Sequence, residues 1–308
     1  MTSPITRLAP SPTGSLHIGN ICTFLLNWVI AKQRNWKIVF RMEDIDGPRK
    51  KSIAIEESID ILRWIGIDWD GEIVIQSDRI DAHQEMLHTL IEKDLAYHCS
   101  LTRKELNTVL SAPHETFSSK DPIYRPANVR LHNSSLPNIQ TNWRFVSERA
   151  THVVHDELYG AQICDTSHDF VIWTKDNSPT YQLAVVADDH YQHITHIIRG
   201  NDLLQSAAWQ ELLFEAMGWE TPTWIHLPLV IGSDGKRVAK RHGDSRISTY
   251  RSRGVSPERI IGLIAMWTHA QINPIPMSLE KFLHSFDLDK LQPNNIVFTK
   301  EDETWLLD

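Results

Sequence analysis

Three sets of residues in this 308-residue chain have types and spacing that could do chemistry. The first is the stretch Ala9-Pro10-Ser11-Pro12-Thr13-Gly14-Ser15-Leu16-His17-Ile18-Gly19-Asn20. A Pro/Gly loop that opens a helix leaves backbone N–H groups at the helix N-terminus, where they attract phosphate. His17 could donate to phosphate oxygens, and Gly19 lets a base or ribose approach the backbone. On its own, His17-Ile18-Gly19 is also served by an ordinary capping histidine. The second set is Gly232-Ser233-Asp234-Gly235-Lys236-Arg237-Val238-Ala239-Lys240-Arg241. Two glycines make a turn that delivers four cations, a loop that could close over a polyphosphate as pyrophosphate leaves. Alone, it also reads as a basic surface hairpin. The third set is Arg7, Glu43, Tyr181 and Arg199, which the pattern places at strand ends, where parallel sheets gather ligands. Two arginines could take carboxylates by paired hydrogen bonds, Glu43 could hold an ammonium group, and Tyr181 could offer a hydroxyl. That combination suits a dicarboxylic amino acid, and a salt-bridge network is the structural alternative.

The elements that must position these residues follow from periodicity. Thr6-Arg7-Leu8-Ala9 reads as a short strand, and the Pro/Gly loop stops it. An apolar helical period then runs through Ile18, Ile21, Cys22, Leu25, Trp28 and Val29. Trp36 to Met42 is a strand that ends in Glu43-Asp44-Ile45-Asp46. Ile55, Ile59, Leu62 and Ile65 mark a helix stopped by Gly66. A further helix spans about 81–93. The order opens a parallel α/β sheet. From 99 to 177 short mixed segments rich in Pro, Asn, Ser and His read as an insertion. The α/β pattern returns with a strand expected at Gln182-Leu183-Ala184-Val185-Val186, then a strand through Arg199 and a helix to Met217. Ile225 to Val230 enters the basic loop, and the chain from about 245 is mostly helical. The expected division is 1–98, first half of the α/β domain; 99–177, insertion; 178–244, second half of the α/β domain; and 245–308, C-terminal helical segment.

Composition narrows the class. The chain carries 31 basic and 39 acidic side chains, a formal charge of −8, which argues against indiscriminate nucleic-acid coating. The charge is uneven: Lys236 to Arg259 holds eight Lys or Arg against Asp244 and Glu258, a phosphate-facing surface if a nucleotide site lies close. No apolar run approaches a membrane span. Nothing after Met1 resembles an export signal, so a cytosolic protein is expected. Cys22, Cys99 and Cys164 form no metal-binding spacing and are expected as buried, reduced thiols. His152 with His155, and His190 with His193, could share a helix face, but no third ligand follows, so no metal site is expected.

The order of these motifs resembles the class I aminoacyl-tRNA synthetases, which implies an α/β fold with a Rossmann-type parallel sheet interrupted by an insertion and followed by a short C-terminal helical segment. His17-Ile18-Gly19 looks like their HIGH motif, and Arg237 to Arg241 like a variant of their KMSKS loop. Arg7 to Gly19, Phe40 to Asp46, Ile198-Arg199-Gly200-Asn201-Asp202 and His226-Leu227-Pro228-Leu229 are similar, more narrowly, to the glutamyl-tRNA synthetase group. Tyr250 to Glu258 resembles the segment that packs under the tRNA stem. The sequence then stops at Glu303 to Asp308, so no anticodon-binding domain is expected. That architecture looks like the truncated paralogues of the group, which activate glutamate with ATP and transfer it to the queuosine base in the anticodon of tRNA(Asp). The resemblance implies a glutamate pocket of Arg7, Ala9, Ser11, Glu43, Tyr181 and Arg199. It implies ATP contacts at His17, Gly19, Arg237 and Lys240, with His17 and Lys240 catalytic, Mg²⁺ arriving on ATP, and a monomer.

Three positions depart from the group's pattern. A zinc in the insertion would need a Cys-x-Cys pair, a Tyr and a further Cys; here Cys99 is followed by Leu101, and Tyr124 by Asn128, so zinc is expected to be absent. Ala239 stands where the KMSKS loop has Ser, and Ala207-Ala208 where Thr-Pro is common. Three rivals stay open: a truncated glutamyl-tRNA synthetase charging the 3′ end of tRNA(Glu), a small-molecule nucleotidyltransferase with the same layout, and a non-catalytic tRNA- or glutamate-binding paralogue.

Overall fold

The computed structural model describes residues 3–12, 15–45, 52–99, 142–236, 238 and 245–308. Its first half alternates strands and helices: β1 (Ile5–Leu8), α1 (Ile18–Gln33), β2 (Lys37–Met42), α2 (Ser52–Ile65), β3 (Ile73–Ile75) and α3 (Ile80–Glu92). The three strands pair in parallel in the order β1-β2-β3. α1 is a core helix: Ile18, Ile21, Leu25, Leu26 and Val29 are all fully buried, and the same cluster takes Leu62 and Ile65 from α2. Burying each such side chain stabilises the fold by roughly 1.5–3 kcal/mol. Gly66 ends α2 with φ +98°, a left-handed geometry that a side chain would strain.

Short strands follow: β4 (Ala96–Cys99), β5 (Asn142–Phe145), β6 (Thr151–Asp156), β7 (Gly160–Asp165), β8 (Phe170–Thr174) and β9 (Ser178–Pro179). They divide between two sheets. β4, β5, β8 and β9 form an antiparallel sheet, whereas the β6–β7 hairpin extends a different one. That second sheet receives β10 (His196–Gly200) and β11 (Thr223–Leu227), with order β10-β11-β6-β7.

Between them lie α4 (Tyr181–Tyr191), before β10, and α5 (Leu204–Met217), after it. The run 182–186, expected as a strand, is therefore helical. Leu183, Ala184, Val185 and Val186 are all fully buried. Such a short, continuous apolar run looks the same in a buried strand and a buried helix. The correction moves Tyr181 from a strand end to the first turn of α4.

The parallel half-sheets meet where β1 lies beside β10. The Thr195 N–H donates to Ile5 O at 2.9 Å. Farther along, the Asn27 side chain from α1 bridges the two strands, its Nδ2 donating to Arg7 O at 3.0 Å and Ile198 O at 3.2 Å. A side chain thus replaces the ladder where the strands part, which opens a crevice at the switch point of the sheet.

The rest closes around the first core. β12 (Val230–Ile231) pairs with β13 (Ile296–Val297), and helices α6 (Ile247–Ser252), α7 (Pro257–Trp267), α8 (Leu279–Ser285) and α9 (Lys300–Leu307) complete the chain. Gly262 in α7 lies so close to the Ile275 carbonyl that no Cβ fits there. His152 and His155 fall on a strand, with His152 buried and His155 exposed, rather than on one helix face. All three cysteines are buried. Among the described residues, no helix is long and apolar enough to cross a membrane.

Candidate active site

The crevice holds a cavity of about 590 Å³. Arg7, Ala9, Ser11, His17, Glu43, Tyr181 and Arg199 all line it. Gly19 is the second residue of α1, next to His17 at its N-cap; a Cβ there would come within 3.2 Å of the imidazole, so the glycine permits that ring position. Arg237 and Lys240 lie outside the described residues. Their flanks are anchored beside His17, however: Val238 N–H donates to Val230 O at 3.3 Å, and Ile18 N–H donates to Ser245 O at 3.1 Å. An isolated bridge pairs His17 with Arg246, and the His17 N–H donates to Asn20 Oδ1 at 3.1 Å.

The two arginines of the cavity are held in opposite ways. Arg7 is ion-paired: its Nε donates to Asp189 Oδ1 at 3.1 Å. The same oxygen accepts Arg41 Nη1 at 2.7 Å, and Arg41 Nη2 donates to Glu43 Oε1 at 2.9 Å. Arg41 and Asp189 are fully buried. Burial alone would favour a neutral Arg41, but Asp189 and Glu43 outweigh it and raise its pKa. Burial pushes the Glu43 carboxyl up, against the pull of Arg41 and Arg7. A ligand ammonium beside Glu43 would favour its ionised form.

Arg199 meets no carboxylate within ion-pair distance among the described residues. Its Nε donates to His226 Nε2 at 3.1 Å, Nη1 to Gln210 Oε1 at 2.7 Å, and Nη2 to Leu203 O at 3.0 Å. The Tyr181 hydroxyl lies 3.5 Å from Nη1. Burial lowers the Arg199 pKa and raises that of Tyr181. His226 Nδ1 lies 2.7 Å from Asp156 Oδ2, which also accepts the His226 backbone N–H at 2.8 Å. Burial moves His226 toward its neutral form, and Arg199 adds to that while Asp156 opposes it.

Sequence reasoning missed Arg41, Asp188, Asp189, Asp156 and Gln210, and gave His226 no role. Asp188 anchors a second buried cluster, accepting Arg79 Nε at 2.7 Å and facing His83 Nε2 at 3.0 Å. The only local signal was two adjacent acids directly after an apolar run.

A parallel sheet split at its switch point, with a cation-lined cavity over the N-terminus of α1, defines a class I synthetase catalytic fold. The chain belongs to the family of class I tRNA synthetases (E and Q), catalytic domain, which it matches over residues 5–305. It is a ligase of the kind that forms aminoacyl-tRNA-type bonds.

Among its relatives is the glutamyl-Q tRNA(Asp) synthetase of Rhodopirellula baltica, 40% identical over 275 residues, 85% of this chain and 84% of the relative. Glutamate–tRNA ligase 2 of Rickettsia akari is 36% identical over 316 residues, 97% of this chain and 66% of that one. The chain spans 58% of the length of the corresponding ligase of Rickettsia massiliae. The crystal structure of a glutamate tRNA ligase from Elizabethkingia meningosepticum in complex with its amino acid superposes with a TM-score of 0.80 at 29% identity. That match covers 99% of this chain and 69% of that one.

Proposed function

We propose that the cavity binds L-glutamate and ATP, forms glutamyl-adenylate, and that the chain passes the glutamyl group to the queuosine base in the anticodon of tRNA(Asp). The observation that carries the reading is the convergence of Arg7, Glu43, Tyr181 and Arg199 on one cavity beside His17. Arg7 and Arg199 serve the carboxylates, Glu43 the ammonium group, and Ala9 and Ser11 the wall between. The queuosine acceptor is favoured by the Rhodopirellula relative, with which the match covers most of both chains.

Activation needs no general base, because a carboxylate is already ionised at neutral pH. A glutamate carboxylate oxygen bonds to the α-phosphorus of ATP, the α–β phosphoanhydride bond breaks, and pyrophosphate leaves. Binding in line and stabilising the departing charge are the tasks left to the protein. His17 and Lys240 supply that stabilisation, Gly19 and Arg237 complete the ATP contacts, and Mg²⁺ enters with the nucleotide. A ring hydroxyl of queuosine then bonds to the glutamyl carbonyl carbon, loses its proton, and AMP departs. The catalytic halves 1–98 and 178–244 supply most of the cavity lining, Ser245 and Arg246 of the 245–308 segment complete it, and the basic 236–259 stretch helps to align the tRNA. A cytosolic monomer without zinc completes the reading; its metal argument turns on Leu101, Tyr124 and Asn128, outside the described residues.

Glutamate-dependent ATP–pyrophosphate exchange, run without and with tRNA, tests this. Exchange without tRNA, followed by labelling of tRNA(Asp) at its anticodon, is the expected result. Activity that requires tRNA(Glu) and labels its 3′ end would favour the second reading, a glutamate–tRNA ligase, which the 36% identity to those enzymes supports. Exchange independent of glutamate would indicate a small-molecule nucleotidyltransferase, and silence throughout a binding protein.

A further inference from the structure

Arg199 is 5% exposed and borders the cavity, yet among the described residues its guanidinium meets no carboxylate, only an imidazole, an amide, a backbone carbonyl and a hydroxyl. Arg7 and Arg41, its neighbours across the sheet, share the carboxylate of Asp189. A buried guanidinium ordinarily acquires a carboxylate, because an unpaired buried charge is costly. Here two side chains take the carboxylate's place. Gln210, fully buried, presents its amide oxygen to Nη1 at 2.7 Å. Its own Nε2 donates to Gln182 Oε1 at 3.0 Å, and Gln182 Nε2 donates to Ser206 Oγ at 3.0 Å, which fixes the orientation of both amides. His226 is oriented in the same fashion. An Asp156 carboxylate oxygen can only accept, so Nδ1 carries the proton, and Nε2 turns its lone pair to Arg199 Nε.

We propose that Gln210 and His226 are specificity-determining positioning residues: they fix Arg199 through neutral acceptors and so leave its charge for an anionic group of the ligand. Two consequences follow. The cavity favours an amino acid with an ionised side chain over its amide, because a neutral group would leave the buried charge unmet. And a carboxylate at position 210 is worse than no acceptor at all, since it neutralises the arginine internally. The inference rests on the glutamate reading of the cavity.

The test is the rank order of two variants in glutamate-dependent ATP–pyrophosphate exchange. Gln210→Glu is nearly isosteric, and the Gln182 amide can flip to donate to the new carboxylate while Ser206 Oγ donates back, so every hydrogen bond survives. Gln210→Leu removes the acceptor and leaves the charge. We expect Gln210→Glu to raise the KM for glutamate about 10–100-fold and Gln210→Leu less than about tenfold, with the KM for ATP within about threefold of wild type in both. A hydrogen-bonding role alone predicts the reverse order, and finding Leu worse than Glu in folded proteins would overturn the proposal. Should Gln210→Glu not fold, the pair His226→Gln and His226→Leu tests the other side of the guanidinium. The amide, a neutral acceptor, is expected to restore the glutamate KM toward wild type, and equal values in the two would overturn it. Wild-type protein that shows neither exchange nor a glutamate-induced rise in melting temperature removes the glutamate reading and this proposal together. That outcome differs from a reversed order in an active enzyme.

Discussion

Asp189 on α4 and Arg7 on β1 meet at 3.1 Å across 182 residues of chain. The contact joins the two halves of the parallel fold at the floor of the cavity, and Arg41 shares it from β2. Asp189 is the only carboxylate touching Arg7 among the described residues, so it fixes the position of that arginine and supplies a counter-charge shared with Arg41.

Replacing Asp189 with Asn tests this. Two buried guanidinium groups would lose their common counter-charge, and breaking a buried pair typically costs about 3–5 kcal/mol. Urea unfolding should show a loss of that order, and glutamate KM should rise in whatever protein remains folded. A loss below about 1 kcal/mol would mean that Glu43 and solvent already meet the charge.

Lys240→Ala should depress adenylate formation by about 10²–10³ with little change in glutamate affinity, because its charge is needed only as pyrophosphate leaves. Exchange kinetics compared with glutamate-induced melting shifts separate the two effects. Equal losses in both would assign the lysine to ground-state binding.

Acid stability should depend on Asp188. Burial opposes its ionisation, but the His83 hydrogen bond, the Arg41 charge and the Arg79 hydrogen bond hold its carboxyl below the usual carboxylate range. A group with a depressed folded pKa contributes stability above its unfolded value of about 4 and loses it as pH falls through the folded one. Melting temperature should therefore drop more steeply below about pH 4 in wild type than in Asp188→Asn. Parallel curves would show that other carboxylates govern acid unfolding.

Cys22 lies in the middle of the first core, and burial pushes its thiol up to about 12. Thiolate is the reactive form, so Cys22 should resist alkylation at pH 8 in the native protein and react at once in denaturant. Mass-spectrometric mapping after brief iodoacetamide treatment reads this directly.

The sequence by itself determined the opening order of strands and helices through α3 and the four polar residues that line one cavity. Those features are local: periodicity, Pro/Gly punctuation and motif spacing are written in neighbouring residues. The misread run 182–186 shows where locality fails. Its apolar residues fit either period, and only packing on all sides selects the helix that carries Tyr181, Asp188 and Asp189 into the core.

The tertiary structure alone decided the charge state of the site. Arg7 and Arg199 look alike in the chain, yet one meets Asp189 and the other meets Gln210 and His226. His226 in turn depends on Asp156, 70 residues away. Whether a buried cation is neutralised depends on which groups fold against it, and electrostatic energy in a low-dielectric interior turns on contacts of about 3 Å that no spacing in sequence encodes.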